Sequence, residues 1–337
     1  MKTPNHLPSV VVIGGGTGTF TVLNSLRHKK VRLTALMTMV DDGGSNRILR
    51  DEFGLLPTSG IRQAMVALSR HQSFLRDLFM YRFHRGTGIT GMTFGNLFLA
   101  AMADILGSQD TAIEATSKFL RVKGNIHPIS FDNVRLVATY SDGTQVLGEH
   151  QIDSPVHDGK LKIIELKTIP KAKIGPKAKA AILNADAIIL GPGDFYGNTI
   201  ANLIVEGVTE AIMESSAKLI FITNLMTKYG EAYDYKVSDY LLDLKKYIPL
   251  SRLNYVLINN DLNYPPEALA KYTEEFSQPV LDDLTESTIP GSLKIVKSPL
   301  VSQEIITTEA GDTVKRSMIR HDVKKLGRLL LTLISDS

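Results

Sequence analysis

The sequence predicts a doubly wound α/β protein with a mainly parallel sheet, and three observations carry that prediction. Short runs of aliphatic and β-branched residues without strict alternation have the pattern of strands covered on both faces. Stretches with apolar residues at helical spacing separate them, and strands alternating with helices make a parallel sheet with helices on both sides. Most of the runs end in a glycine-rich or polar cluster, which is where an open parallel sheet places its ligand.

The elements follow in chain order. A polar leader over 1–8 precedes a strand at Ser9–Ile13, and Phe20, Leu23 and Leu26 mark the helix after it. The next strand lies within Val31–Val40, and Ile61, Ala64, Met65 and Leu68 fall at i, i+3, i+4, i+7, the spacing of one helix face. From Asn125 to Leu166 the pattern changes to short strands and turns: Arg135–Tyr140, a hairpin turn at Ser141-Asp142-Gly143-Thr144, and Val146–His150 returning. This reads as a small antiparallel β insertion over about 125–166, within a single domain that spans 9–337. The Lys-rich stretch Pro170–Lys179 reads as a solvated connection. Strands then recur at Ala187–Leu190, Leu219–Thr223 and Tyr255–Ile258. Long apolar stripes separate them at Ile200, Leu203, Ile204, Val208, Ala211 and Ile212, and at Val237, Tyr240, Leu241, Leu244 and Ile248.

Composition narrows the function. With 43% hydrophobic and 22% charged residues the 337-residue chain has the make-up of a soluble globular protein. It has no cysteine, which excludes disulfides, Cys-ligated zinc, iron–sulfur clusters and a thiol nucleophile, and fits a cytoplasmic location. No apolar run reaches the roughly 18–20 residues of a spanning helix, so no membrane insertion is expected. A net charge of +3 with no block of like charges gives no footprint for nucleic acid.

The chemistry concentrates after the strands. Gly14-Gly15-Gly16-Thr17-Gly18 follows the first strand and opens a helix, the context in which glycines let backbone N–H groups approach a phosphate. Thr19 stands where a dinucleotide fingerprint needs its last glycine, which disfavours a nicotinamide dehydrogenase. Asp41-Asp42-Gly43-Gly44-Ser45, followed by Arg47 and Arg50, suits a polar anionic ligand, with an acid on a hydroxyl or metal and the arginines on phosphate. Gly191-Pro192-Gly193-Asp194, Thr223-Asn224 and Asn259-Asn260 end later strands. His28, His71, His84 and His150 lack metal-ligand spacing and read as surface residues, and no Gly-x-Ser-x-Gly is present.

Ordered blocks over about residues 9–330 carry a resemblance: VVVIGGGTG at Val10–Gly18, VDDGGSNRILR at Val40–Arg50, LLPTSGIRQAMVALS at Leu55–Ser69, GNLFLAAM at Gly95–Met102, ADAIILGPG at Ala185–Gly193, Asn198–Val205, and TNLMTKYGEAYDYKVSD at Thr223–Asp239. The chain resembles the gluconeogenesis factor family, the YvcK-like proteins, which are similar in turn to the 2-phospho-L-lactate transferases. That resemblance implies a Rossmann-like sheet binding a nucleotide diphosphate compound, a uridine diphosphate sugar in the first branch and a guanosine diphospho-lactate in the second. It also implies a homo-oligomer, and for the first branch a role in cell shape and in growth on gluconeogenic carbon.

Two positions depart from the family pattern. The family usually has an acid where this chain has Gly60, and Gly-His where it has Gly91-Met92. A carboxylate and an imidazole are groups that hold a divalent ion or move a proton, and both are absent. The sequence therefore favours a cytoplasmic UDP-sugar-binding protein with a regulatory role, without an assigned catalytic residue. Its expected site comprises Gly15, Gly16, Thr17, Gly18, Asp41, Asp42, Gly43, Gly44, Ser45, Asn96, Gly191, Gly193, Asp194 and Asn224, with Arg47, Arg50 and Arg62 as phosphate-side cations. The alternative is a Mg²⁺-dependent transferase acting on a nucleoside diphosphate-linked donor, with Asp42 or Asp41 holding the ion; no other cofactor is called for.

Overall fold

The structure, a computed structural model, describes residues 7–70, 73–285, 290–304 and 318–336. Most of the polar leader and His71 lie outside the described residues.

The amino-terminal half runs β1 (Ser9–Gly14), α1 (Gly16–Leu26), β2 (Arg32–Met37), α2 (Gly44–Phe53), α3 (Ser59–Leu68), α4 (Ser73–Met80), α5 (Phe94–Leu106), α6 (Gln109–Phe119) and β3 (Asn125–Pro128). The insertion follows as β4 (Arg135–Tyr140), β5 (Gln145–Leu147), α7 (Glu149–Asp153) and β6 (Ile163–Ile169). The remainder is α8 (Pro176–Leu183), β7 (Ala187–Leu190), a π-helical turn at Phe195–Ile200 leading into α9 (Ala201–Leu203), α10 (Val208–Glu214), β8 (Lys218–Ile222), α11 (Val237–Leu244), β9 (Tyr255–Asn259), α12 (Pro266–Glu274), β10 (Lys294–Ser298) and α13 (Val323–Ser335).

Seven strands form one parallel sheet in the order β10-β9-β8-β7-β1-β2-β3. The chain builds outward from β1 to one edge and then restarts at β7 toward the other, so strand order reverses between β1 and β7. Alternation along β1 sends Val11 and Ile13 into one apolar layer and Val10 and Val12 into the other. Both faces are covered, which is why the strands read as unbroken apolar runs. A second sheet, antiparallel in the order β5-β4-β6, forms the insertion.

Four expectations need correction. Residues 125–128 belong to the parallel sheet, where β3 pairs with β2 as an edge strand that tolerates Pro128. The antiparallel unit therefore begins at Arg135 and runs to Ile169. The returning strand stops at Leu147, because Gly148, at φ +103, turns the chain into α7. The Ile200–Ile212 stripe is not one helix: it breaks at Gly207 (φ +93), where a Cβ would lie 2.7 Å from Ile174 Cγ2. That close approach lets the Pro170–Lys179 stretch pair with the break, Glu206 N–H donating to Ala172 O and Ile174 N–H to Glu206 O, both at 2.9 Å. The stretch thus buries Ala172 and starts α8 at Pro176, rather than lying wholly in solvent.

Candidate functional site

A cleft of about 110 Å³ lies at the carboxyl ends of the strands beside the reversal of strand order. This is the position at which open α/β sheets take ligands. Gly15 and Gly16, where β1 turns into α1, form one wall with Thr38 and Asp41 from the end of β2; Pro57, Ser59, Gly60 and Gln63 form a second at the start of α3. Asp194, Gly197 and Asn198 from the turn after β7, and Glu149 from the insertion, complete it.

The glycine turn is shaped for close approach. Gly15 is extended, Gly16 takes φ +61, and α1 has no side-chain cap at its N-terminus. The first-turn amides of such a helix lack intrahelical partners and suit an anion. Asn198 roofs this turn: a Cβ on Gly15 would lie 2.1 Å from Asn198 Oδ1 and 2.7 Å from Thr38 Cγ2. Asn198 Nδ2 also donates to Asp194 Oδ2 at 3.3 Å. The π-helical turn bearing these residues is anchored from below, where Tyr196 and Tyr235 hydroxyls donate to Asp243 Oδ2 at 2.5 and 2.6 Å.

Carboxylates dominate the other side. Burial pushes the Asp41 carboxyl up to about 6, against the lowering effect of the Gly43 N–H it accepts at 3.0 Å. Burial and the neighbouring Asp41 hold Glu149 well above the usual carboxylate range. Glu231, only 1% exposed, is raised by burial to about 7 while its Oε2 accepts the Tyr196 N–H at 3.0 Å. One oxygen each from Asp153, Asp194 and Glu231 lie within 4.8 Å of one another. The Lys228 ammonium pairs with Asp153, with Asp194 Oδ1 at 2.8 Å and with Glu231 Oε1 at 3.9 Å. Burial alone would lower its pKa, but Asp194, Glu231 and Asp153 outweigh that and raise it well above the ordinary lysine value.

Of the residues expected from sequence, Gly15, Gly16, Asp41 and Asp194 line the cleft, as does the departing Gly60. The others do not line it. Gly18 lets α1 pack on the loop after β7, since a Cβ there would lie 2.1 Å from Pro192 O. Asn224 clamps that loop by donating to Gly193 O at 2.8 Å, and Gly191, at φ +71, has no room for a side chain against Ile222 O. Thr17 lies on the first turn of α1, and Gly43 and Gly44 turn the chain into α2. Asp42 Oδ1 accepts the His150 N–H at 2.8 Å, so it joins the insertion to the β2 end.

The arginines expected on the phosphate side do not line this cleft. Arg62 Nε donates to Asn96 Oδ1 at 2.9 Å, and Asn96 Nδ2 to Ser45 Oγ at 3.0 Å and Ser59 Oγ at 3.2 Å. This buried network supports Ser59 from behind. Arg50 is buried with Nη2 directed at Met39 O, at 3.4 Å, and Arg47 is exposed on α2. Met92 packs against Leu49 and Ala100 in an apolar cluster. Sequence reasoning missed Glu149, Asp153, Asn198, Lys228 and Glu231. The last three fall in the family blocks quoted above, but only the fold of the insertion brings Glu149 to the cleft and Asp153 to Lys228.

Residues 10–301 match the family described as 2-phospho-L-lactate transferase CofD. The chain is 35% identical to the gluconeogenesis factor of Bacillus subtilis, over 98% of this chain and 99% of that one. It is 37% identical to the gluconeogenesis factor of Halalkalibacterium halodurans, over 82% of this chain and 84% of that one. A crystal structure of a UPF0052 family protein from Bacillus halodurans superposes with a TM-score of 0.86 at 32% identity, covering 97% of this chain and 99% of that chain. No helix among the described residues is long and apolar enough to cross a membrane. A parallel sheet with its glycine turn at the strand reversal, and matches that run almost end to end, place this chain in the 2-phospho-L-lactate transferase CofD family, alongside the gluconeogenesis factors.

Proposed function

We propose that the chain is a cytoplasmic, homo-oligomeric nucleotide-sugar-binding protein of one domain, with a regulatory role in gluconeogenic growth and cell shape. Its ligand is a uridine diphosphate sugar. The observation that carries this reading is the uncapped N-terminus of α1 opening through Gly15 and Gly16 on a cleft at the strand reversal. The diphosphate meets main-chain amides there, while Asp41 and Asn198 offer hydrogen bonds to hydroxyl groups. Protonated acids donate and ionised ones accept, so the raised Asp41 and Glu149 carboxyls suit the hydroxyl groups of a polyhydroxylated ligand.

Calorimetric titration with UDP-glucose, UDP-N-acetylglucosamine, GDP and NAD tests this. Saturable binding of a UDP-sugar, at least tenfold tighter than GDP or NAD, supports the reading; NAD or GDP binding more tightly overturns it. The transferase reading draws on the family match and on the three clustered carboxylates. It predicts Mg²⁺-dependent release of a nucleoside monophosphate from a diphosphate donor when an acceptor is supplied.

A further inference from the structure

We propose that Lys228 is a built-in cation, its ammonium held where Asp153, Asp194 and Glu231 would otherwise hold a divalent ion, so that the cleft takes its ligand without a metal. The inference rests on the nucleotide-sugar reading for the ligand, but its metal arm stands apart from it.

The three carboxylates come from three parts of the chain: Asp153 from α7, Asp194 from the turn after β7, and Glu231 from the turn after β8. Their oxygens, within 4.8 Å of one another, need only small side-chain shifts to close on a common divalent ion. Glu231 adds an independent sign of an unfilled coordination position. Its Oε1 is buried, accepts no hydrogen bond from the described residues, and has Lys228 Nζ 3.9 Å away. That oxygen lies beside the cleft wall: it is 3.2 Å from where a Cβ on Gly197 would stand, with Glu149 Oε1 at 3.4 Å from the same point, and Gly197 lines the cleft.

Lys228 reaches this group from a rigid base. The turn it opens is closed by Glu231 N–H donating to Lys228 O at 3.3 Å, and Gly230 O accepts the Tyr140 hydroxyl at 3.0 Å. Gly230 N–H donates to Gly159 O at 2.9 Å, so the turn is seated on the insertion. The ammonium is a point charge with three donors, and three carboxylates surround it. A divalent ion entering the group has to displace a covalently tethered cation that is always at hand, which lowers its apparent affinity by competition.

The test uses the full chain without nucleotide and reads Mn²⁺ binding by electron paramagnetic resonance, in wild type and Lys228→Met. Lys228→Met is expected to gain one Mn²⁺ site at least tenfold tighter than any in wild type, and Asp194→Asn in that background to lose it. Lys228→Gln serves as the second variant should Lys228→Met fold poorly, with folding read by circular dichroism. UDP is then titrated with EDTA or Mg²⁺ present. Wild-type affinity is expected to change less than threefold between the two, and that of Lys228→Met at least tenfold. Equal Mn²⁺ affinity in wild type and both variants overturns the proposal, as does a tight Mn²⁺ site in wild type that Asp194→Asn abolishes. Failure of UDP to bind any form counts against the nucleotide reading and leaves the Mn²⁺ comparison to decide the role of Lys228.

Discussion

The backbone N–H of His150 donates to Asp42 Oδ1 at 2.8 Å, joining the end of β2 to the insertion across 108 residues of chain. Asp42 Oδ2 also fills the space beside Gly148, 2.8 Å from where a Cβ would stand. The residue thus seats α7, which carries Glu149 and Asp153, against the parallel sheet. A hydrogen bond to a charged acceptor is worth more than a neutral one, though its partial exposure discounts it, so Asp42→Ala is expected to cost about 1–2 kcal/mol. Thermal unfolding should show a lowered midpoint and limited proteolysis faster cleavage near 148–160. UDP-sugar affinity should fall less than it does when Asp41 is changed.

The glycine turn offers a paired test. Gly15→Ala puts a methyl group 2.1 Å from Asn198 Oδ1 and 2.7 Å from Thr38 Cγ2, at a φ of −166° that alanine adopts freely. The cost is therefore paid by Asn198, which must leave its place over the turn. Loss of UDP-sugar binding by at least tenfold is expected in calorimetry, with the circular dichroism spectrum unchanged. Gly44→Ala makes the converse control: φ is +48 but none of the described residues lies within 4 Å of the added Cβ. It should lower stability by about 1 kcal/mol through backbone strain and leave affinity unchanged. Gly16→Val is a poorer probe, since φ +61 strains valine whatever the ligand does.

The parallel sheet was legible because each buried strand states its burial in its own residues; Val10–Ile13 and Ala187–Leu190 need no partner to be recognised. The edge strands were not, because Asn125–Pro128 and Lys294–Ser298 carry polar residues that only pairing makes regular. Gly15, Gly16, Asp41 and Asp194 were legible in the site because they stand directly at strand ends. Asp42, Arg62 and Asn96, expected at the ligand, also bond to the scaffold, and this was not legible for a shared reason: a polar residue beside a glycine turn serves a ligand or serves the scaffold under it, and the sequence is the same in both cases. Glu149 and Asp153 carried no local sign, since their place depends on how the insertion folds over the sheet.

Asp41 gives a pH dependence whose sign can be worked out. Burial raises it from 3.8 to about 6 in the folded protein, so between about 4 and 6 the folded state holds a proton that the unfolded state has released. Where the folded state binds more protons, stability falls as pH rises. Asp41 therefore favours folding below about pH 4 relative to above about pH 6, and its contribution is lost through that window. Chemical denaturation of wild type and Asp41→Asn from pH 4 to 7 should show the variant losing less stability with rising pH. A steeper loss in the variant would reverse the assignment.

Gly60 is where the cleft departs from the family pattern, and the structure places it on the wall, in the first turn of α3. An acid there is compatible with the fold. Its Cβ would lie 3.2 Å from Met37 Cε, the far end of a flexible side chain, and a carboxylate in a first helical turn is favoured by the helix dipole. Gly60→Asp should accordingly keep or slightly raise the unfolding midpoint. The ligand feels the opposite effect, because a new carboxylate joins Asp41, Glu149 and Asp194 around a diphosphate. In EDTA, UDP-sugar affinity is expected to fall at least tenfold, equivalent to about 1.4 kcal/mol or more. Mg²⁺ should restore much of it, since the added acid supplies a ligand that offsets repulsion once an ion bridges it to the phosphates. Calorimetry in EDTA and in Mg²⁺ checks both halves, and an affinity that changes in neither condition would mean that the diphosphate does not approach the start of α3.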